Sequence, residues 1–115
     1  MMVDVSATAL SGLYANEKRL QVAADNIANA QTDGFKAKEV EQSANASGGV
    51  TTRVVDKRPA TVPTFDEEGN LTERPNVSLE EEIVGAQVAT YSAQANIKVL
   101  QIQDKMNKYL LDIQA

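Results

Sequence analysis

The chain has 115 residues, a formal net charge of −5 and neither His nor Cys. Its excess of acidic residues opposes attraction to nucleic acids and anionic membranes, and the lack of Cys excludes disulfides and thiolate metal sites. A catalyst without His or Cys needs paired carboxylates or an activated Lys or Ser, and no spacing in the chain suggests either. The composition predicts a protein that is not an enzyme and has no cofactor, small-molecule substrate or nucleic-acid partner.

The first predicted element is an amphipathic helix from residue 3 to about residue 30. Its apolar residues recur at steps of three, four and seven, which places them on one helical stripe. The turn formers before Gly34 predict that the helix ends near Asn29 and that Gly34 takes a left-handed conformation. The apolar stripe contains Val3, Leu10, Leu13, Leu20, Ala24 and Ile27, and the faces expected to be wet carry Asn16, Lys18, Arg19, Gln21 and Asp25.

The chain then changes character between residues 35 and 77. Residues 43–49 are rich in Ser, Ala, Asn and Gly, a composition that predicts a flexible loop. The β-branched run 50–55 that follows predicts a strand.

A second extended run, residues 60–65, is marked by two prolines. Pro59 and Pro63 confine it to a sheet edge or to extended chain outside a sheet. Residues 66–70 predict a turn, after which a short returning strand begins at Leu71. We expect a small, irregular β element in this part of the chain.

The last predicted element is a long helix from Ser78 to about Ile113. Ser78 and Glu81 form a capping box, in which the hydroxyl accepts from a free backbone amide and the carboxylate reaches back. A helix of this length spans about 52 Å, whereas a compact domain of similar size has a diameter of about 35 Å. The helix must therefore project, kink or be buried by other molecules.

Two apolar stripes run along this second helix. One helix from the same chain can cover one stripe, so the other is left for a neighbouring subunit. Between the stripes, a polar line without acids is either a solvated face or part of a channel lining; it contains Gln87, Gln94, Lys98, Gln101, Lys105 and Lys108. The first stripe contains Leu79, Ile83, Ala86, Ala93, Ile97, Leu100 and Leu111, and the second contains Val88, Tyr91, Ala95, Val99, Ile102, Met106, Tyr109 and Ile113.

The predicted fold is mainly α, with two long terminal helices packed as an antiparallel, coiled-coil-like pair and a short irregular β region between them. The expected division is 1–34 for the N-terminal helix, 35–77 for the β region and 78–115 for the C-terminal helix. The two helices would together form one core domain.

Two motifs at opposite ends of the chain carry a family resemblance. The N-terminal one is an N-I-A-N core followed by T-x-G-F-K, and the C-terminal one is P-N-V-S-L-E-E-E. In this order they resemble the bacterial flagellar axial proteins, the rod and hook subunits, and most closely the short proximal rod proteins. As local structure, the N-terminal motif also reads as a helix C-cap and turn. The motif residues are Asn26, Ile27, Ala28, Asn29, Thr32, Gly34, Phe35 and Lys36, and later Asn76, Val77 and Glu81.

The resemblance implies a structural subunit of the flagellar basal-body rod. Such a subunit would polymerise with itself and other rod proteins into a tube around the export channel, and would transmit torque. It also implies export by the flagellar type III apparatus without a cleaved signal peptide. The alternative is a soluble coiled-coil adaptor or export chaperone that binds a partner helix. The expected assembly residues are Leu10, Leu13, Leu20, Ile27, Val88, Ile97, Leu100 and Ile102.

Overall fold

The computed structural model describes residues 5–114, with side chains through residue 113. Two long helices precede and follow four short strands in the sequence, which confirms the predicted mainly α fold with a β region between terminal helices. In chain order the elements are α1 (Val5–Ala28), β1 (Lys38–Ala44), β2 (Val50–Asp56), β3 (Thr61–Phe65), β4 (Leu71–Pro75) and α2 (Leu79–Gln114).

The molecule is long and thin. Its principal dimensions are 76 × 24 × 14 Å and its radius of gyration is 19.8 Å, against about 13 Å for a compact domain of this length. The 36-residue helix α2 spans about 54 Å of the long dimension. The prediction that this helix is too long for a compact body is thus confirmed. No helix within residues 5–114 is both long and apolar enough to cross a membrane.

The helix ends follow the turn and capping signals of the sequence. Helix α1 ends at Ala28, and Gly34 has a φ of 81°, the left-handed conformation that its position requires. At the start of α2, the amide of Glu81 donates to the Ser78 hydroxyl over 3.4 Å. The carboxylates of Glu80, Glu81 and Glu82 lie in the first turn, at the positive end of the helix dipole.

Strands β1 and β2 form an antiparallel hairpin, hairpin 1, that lies along α1. The amide of Val50 donates to the Ser11 hydroxyl over 3.1 Å, which fixes the tip of the hairpin on the helix. Gly49 has a φ of 85°, and a Cβ atom there would lie 2.6 Å from the Ser11 oxygen. A larger residue at position 49 would push the hairpin away from α1.

Strand β1 was absent from the sequence prediction, and the predicted loop 43–49 is too long by two residues. Ser43 and Ala44 pair with β2, and the turn begins only at Asn45. The strand escapes detection because its sequence, KEVEQSA, contains one β-branched residue and lacks a regular apolar alternation. Pairing with β2, rather than burial of its own side chains, makes it a strand.

Strands β3 and β4 form a second antiparallel hairpin, hairpin 2, which has no extensive packing against either helix. The Asp66 carboxylate closes its turn by accepting from the amides of Glu68 (3.0 Å) and Asn70 (2.7 Å). The molecule is 76 Å long, about 22 Å longer than helix α2. This difference is close to the length of a hairpin with five-residue strands and a turn. Hairpin 2 thus projects beyond the first turn of α2.

Candidate assembly site

The two helices are antiparallel, and two contacts set their register. The Asn26 side chain bonds Glu82, and Gly12 lies against Asn96, so the contacts are fourteen residues apart on both helices. A Cβ atom on Gly12 would lie 2.8 Å from the Asn96 Nδ2 atom. The helices therefore approach closely at Gly12, because this residue has no side chain to hold them apart.

The seam between the helices consists of small and polar residues. The buried residues of α1 are Ala9, Ala15, Asn16, Val22, Ala23 and Asn26. Since α1 lies between hairpin 1 and α2, part of this set faces the hairpin. Among the buried and half-buried residues of α2, only Leu100 has a large apolar side chain. The others are Glu82, Gly85, Ala86, Ala89, Ser92, Ala93, Asn96 and Gln103.

The predicted apolar stripe of α1 is therefore not its buried face. Leu10 (40% exposed), Ala24 and Ile27 (37% exposed) face outward, Leu13 and Leu20 are half-buried, and Val3 lies outside the described residues. Asn16, predicted to be wet, is buried. The prediction failed because it followed side-chain size, whereas the close approach of the helices selects small residues.

The large apolar side chains of α2 lie mostly on its outer surface. Its second predicted stripe is exposed from end to end, including Ile102 (52%) and Ile113 (79%). The expected assembly residues fall into two groups: Leu13, Leu20 and Leu100 are half-buried, and Leu10, Ile27, Val88, Ile97 and Ile102 are exposed. The helix pair thus presents apolar surface that its own fold does not cover.

The Asn26 side chain joins three elements at one end of the helix pair. It is fully buried; its Nδ2 donates to the Lys38 carbonyl (2.7 Å) and to Glu82 Oε1 (3.1 Å), and its Oδ1 accepts from the Lys38 amide (3.0 Å). The side chain thereby satisfies both backbone groups of Lys38, as a neighbouring strand would. We call this set of bonds the Asn26 clasp.

The rest of the N-terminal motif forms the turn that follows α1. Asn29 Nδ2 donates to the Asp25 carbonyl (3.0 Å), and the Thr32 hydroxyl and amide donate to Asn29. The Gly34 amide donates to the carbonyl of Glu73 in hairpin 2 over 2.7 Å. The C-cap and turn interpretation thus fits Asn29, Thr32 and Gly34, but it missed the role of Asn26.

The C-terminal motif also lies next to the turn that follows α1. Asn76 donates from its side chain to the Pro59 carbonyl (2.9 Å) and from its backbone to the Ala60 carbonyl (3.0 Å). The Ala60 carbonyl also accepts from the amide of Ala37, a fully buried residue. Of the other motif residues, Phe35 and Val77 are half-buried, and Ala28, Lys36 and Glu81 are exposed. The two motifs therefore build one junction between the helix pair and the hairpins.

Two cross-strand ion pairs on hairpin 1 shift the pKa of their members. The Lys38 ammonium, which donates to the Asp56 carboxylate, holds the pKa of Asp56 below its usual value. Glu41 accepts from Arg53 at 2.6 Å and raises the pKa of that guanidinium. Within residues 5–114, no three His, Cys, Asp or Glu side chains come together as a metal site.

These features define a class: a slender helix-pair subunit with a hydrogen-bonded junction at one end and uncovered apolar faces along its length. The model of the family described as "Flagella basal body rod protein" matches residues 7–36. The flagellar basal-body rod protein FlgC of Salmonella typhimurium is 35% identical over 117 aligned positions, covering 86% of this chain and 87% of the relative. FlgC of Escherichia coli O157:H7 is 34% identical over the same shares. The chain belongs to the flagellar basal-body rod proteins, and it is a structural protein rather than an enzyme.

Proposed function

We propose that this protein is a rod subunit that polymerises, with itself and with other rod proteins, through the outer faces of its terminal helices. The polymer is a tube around the export channel, and it transmits torque. The observation that carries this proposal is the distribution of apolar side chains. Small residues fill the seam within the subunit, whereas Val88, Ile97 and Ile102 remain between 43% and 52% exposed.

The energy of covering these side chains favours association. Burial of apolar surface contributes about 25 cal/mol per Å², so the exposed stripe of α2 can drive assembly once a neighbour covers it. A shallow groove of about 290 Å³ offers one place for a neighbouring side chain. It lies where the end of α1 meets the start of α2 and is lined by Ile27, Ile83, Ala86, Gln87, Thr90 and Tyr91.

The acid-free polar line of α2 is the face that we assign to the channel. All six of its residues are exposed, and they are spaced three, four or seven residues apart over most of the helix. A lumen lined by amide and ammonium groups stays hydrated and offers a passing unfolded chain no apolar surface to adhere to. In this arrangement the second apolar stripe flanks the lumen and meets an adjacent subunit, whereas Ala86, Ala93 and Leu100 of the first stripe stay in the seam.

Two substitutions on α2 test the assembly role. Leu100 is half-buried toward the seam, whereas Ile102 is 52% exposed and lies about 200° further around the helix. We expect Leu100→Asp to lower the melting temperature of the purified subunit, because it places a charge in the seam. Ile102→Asp should leave that temperature nearly unchanged and abolish rod assembly and motility.

The readouts are thermal unfolding by circular dichroism and motility of cells that carry each variant as their only copy. Motile cells with both variants would argue against a buried polymer element and favour the adaptor alternative. Loss of motility with Ile102→Asp, together with an unchanged melting temperature, supports polymerisation through the outer face.

Export is the second testable part of the proposal. We expect the flagellar type III apparatus to carry the chain out of the cytoplasm without cleaving its N-terminal region. The measurement is the protein's location and N-terminal mass in cells with and without that apparatus. Appearance of the protein outside the cytoplasm of cells that lack the apparatus would contradict this route.

A further inference from the structure

The tip of hairpin 2 is an apolar surface on a fixed turn. Phe65 and Leu71 are directly paired across the strands and are 72% and 66% exposed. Pro63, two residues before Phe65, lies on the same face and is also exposed. A two-stranded hairpin is marginally stable in water unless it packs on something else. The bonds to Asp66 hold the turn, but within residues 5–114 nothing covers the apolar face of the tip.

The opposite end of the molecule carries an uncovered helix. In the observed register Val5 lies opposite Gln103, so α2 continues beyond the described part of α1 for residues 104–114, about 16 Å. Every side chain from residue 104 to 113 is exposed. We call this segment the α2 overhang. Its apolar residues at helical spacing are Met106, Tyr109, Leu110 and Ile113.

Hairpin 2 and the α2 overhang lie at opposite ends of the molecule. Hairpin 2 points away from the C-terminus of α2, because it extends from the end of the molecule at which α2 begins. In a stack of parallel copies, the tip of one copy therefore meets the overhang of the next.

Individual charged side chains of the two surfaces can also pair. When the hairpin enters with its turn leading, the turn reaches furthest toward the middle of the neighbouring α2. Phe65 and Leu71 then lie beside Tyr109 and Ile113, while Glu67 and Glu68 come near Lys105, which lies one turn before Tyr109 at the edge of the polar line. Among the described residues, these two glutamates and Lys105 take part in no ion pair, whereas Lys108 is already paired with Asp104 at 3.1 Å.

We propose that hairpin 2 docks on the α2 overhang of a second copy of this chain, with Phe65 and Leu71 on its apolar face and Glu67 or Glu68 beside Lys105. The contact joins two different surfaces, so it does not close on itself and it continues as a helical stack. This inference rests on the proposed rod function and adds to it the element that joins successive copies along the axis.

Disulfide trapping tests the contact, since the chain has no Cys of its own. The variant carries Glu67→Cys and Lys105→Cys together; the two positions lie at opposite ends of a 76 Å molecule, so a bond between them must join two copies. The control carries Glu67→Cys and Glu17→Cys, the latter on the exposed middle of α1. Rods are isolated from cells that express each variant, oxidised mildly and separated without reductant.

The expected result is a ladder of linked copies at least tenfold stronger for the 67/105 pair than for the control pair or either single variant. Rods that contain the protein but give no such ladder, or in which position 67 links to a different rod protein, would overturn the docking inference and leave the proposed function standing. Rods that form without this protein would overturn the proposed function, and the docking inference with it.

Discussion

The two ends of the helix pair differ in what holds them. At the junction end, Asn26 is fully buried and bonds to Lys38 and Glu82, and Asn76 fixes the start of hairpin 2. At the other end, the α2 overhang has no partner among the described residues, and Met106 and Tyr109 are 54% and 69% exposed. The subunit thus has one end fixed by its own hydrogen bonds and one end left open.

The difference between the two ends suggests separate roles for hydrogen bonds and for apolar burial in this chain. Directional hydrogen bonds to buried groups define the arrangement of helices and hairpins, because an unsatisfied buried group costs about 1–3 kcal/mol. Apolar burial, which is not directional, involves mostly small residues within the subunit, and under the proposed function the larger apolar side chains are left for contacts with other molecules. The chain can therefore have a defined shape before assembly and gain much of its stability during it.

The largest effect should come from removing the Asn26 clasp. Asn26→Ala leaves both backbone groups of Lys38 without a partner in a partly buried position, so we expect a loss of about 2–4 kcal/mol and a melting temperature at least 10 °C lower. Asn29→Ala, which removes two exposed bonds, to the Asp25 carbonyl and from the Thr32 hydroxyl, is the matched control and should cost under about 1 kcal/mol. Equal losses for the two variants would show that the clasp does not fix the junction.

An intermediate effect should appear in hydrogen exchange of the unmodified protein. In a dilute sample, amides of the α2 overhang should exchange at least tenfold faster than those of residues 85–96, because isolated helix ends are weakly stable. Raising the protein concentration should slow exchange in the overhang if neighbours cover it. Uniform, strong protection of both helices in a proven monomer would contradict the contrast between the two ends.

The smallest effect should come from the surface of hairpin 1. Lys38 lowers the pKa of Asp56, so the pair stabilises the fold above the pKa of an unfolded Asp, about 3.9, and this contribution is lost as the pH falls through the lower folded value. Because both side chains are solvent-exposed, Asp56→Asn should change the melting temperature only slightly at pH 7. That small difference from the parent should vanish once the pH has fallen below the lowered pKa of folded Asp56. A large change at pH 7 would mean that hairpin 1 depends on this pair.

The sequence predicted the elements that have strong local signals. The capping residues at Ser78 and Glu81 located the start of α2, and the turn before Gly34 located the end of α1. The β-branched run after Val50 located β2. Each of these depends on a few neighbouring residues, so a single sequence contains the necessary information.

The sequence did not predict the contacts that depend on two distant segments. Asn26 could be read as part of a turn, since its partners Lys38 and Glu82 are far along the chain. The seam was misassigned because periodicity marks apolar side chains without telling which partner covers them. Ile27 and Leu10 lie on the most apolar stripe of α1 and are nevertheless exposed, and under the proposed function a neighbouring subunit covers them.

The slender shape affects how stable a subunit is before it assembles. The accessible surface is 8344 Å², whereas a compact protein of 12.4 kDa exposes about 6100 Å². The excess, about 2200 Å², is comparable with the area of a stable protein–protein interface. When such surface is covered only in the polymer, the stability of each subunit rises with the number of neighbours it has found. Under the proposed function, copies that find no neighbours are then the least stable and the most open to proteolysis.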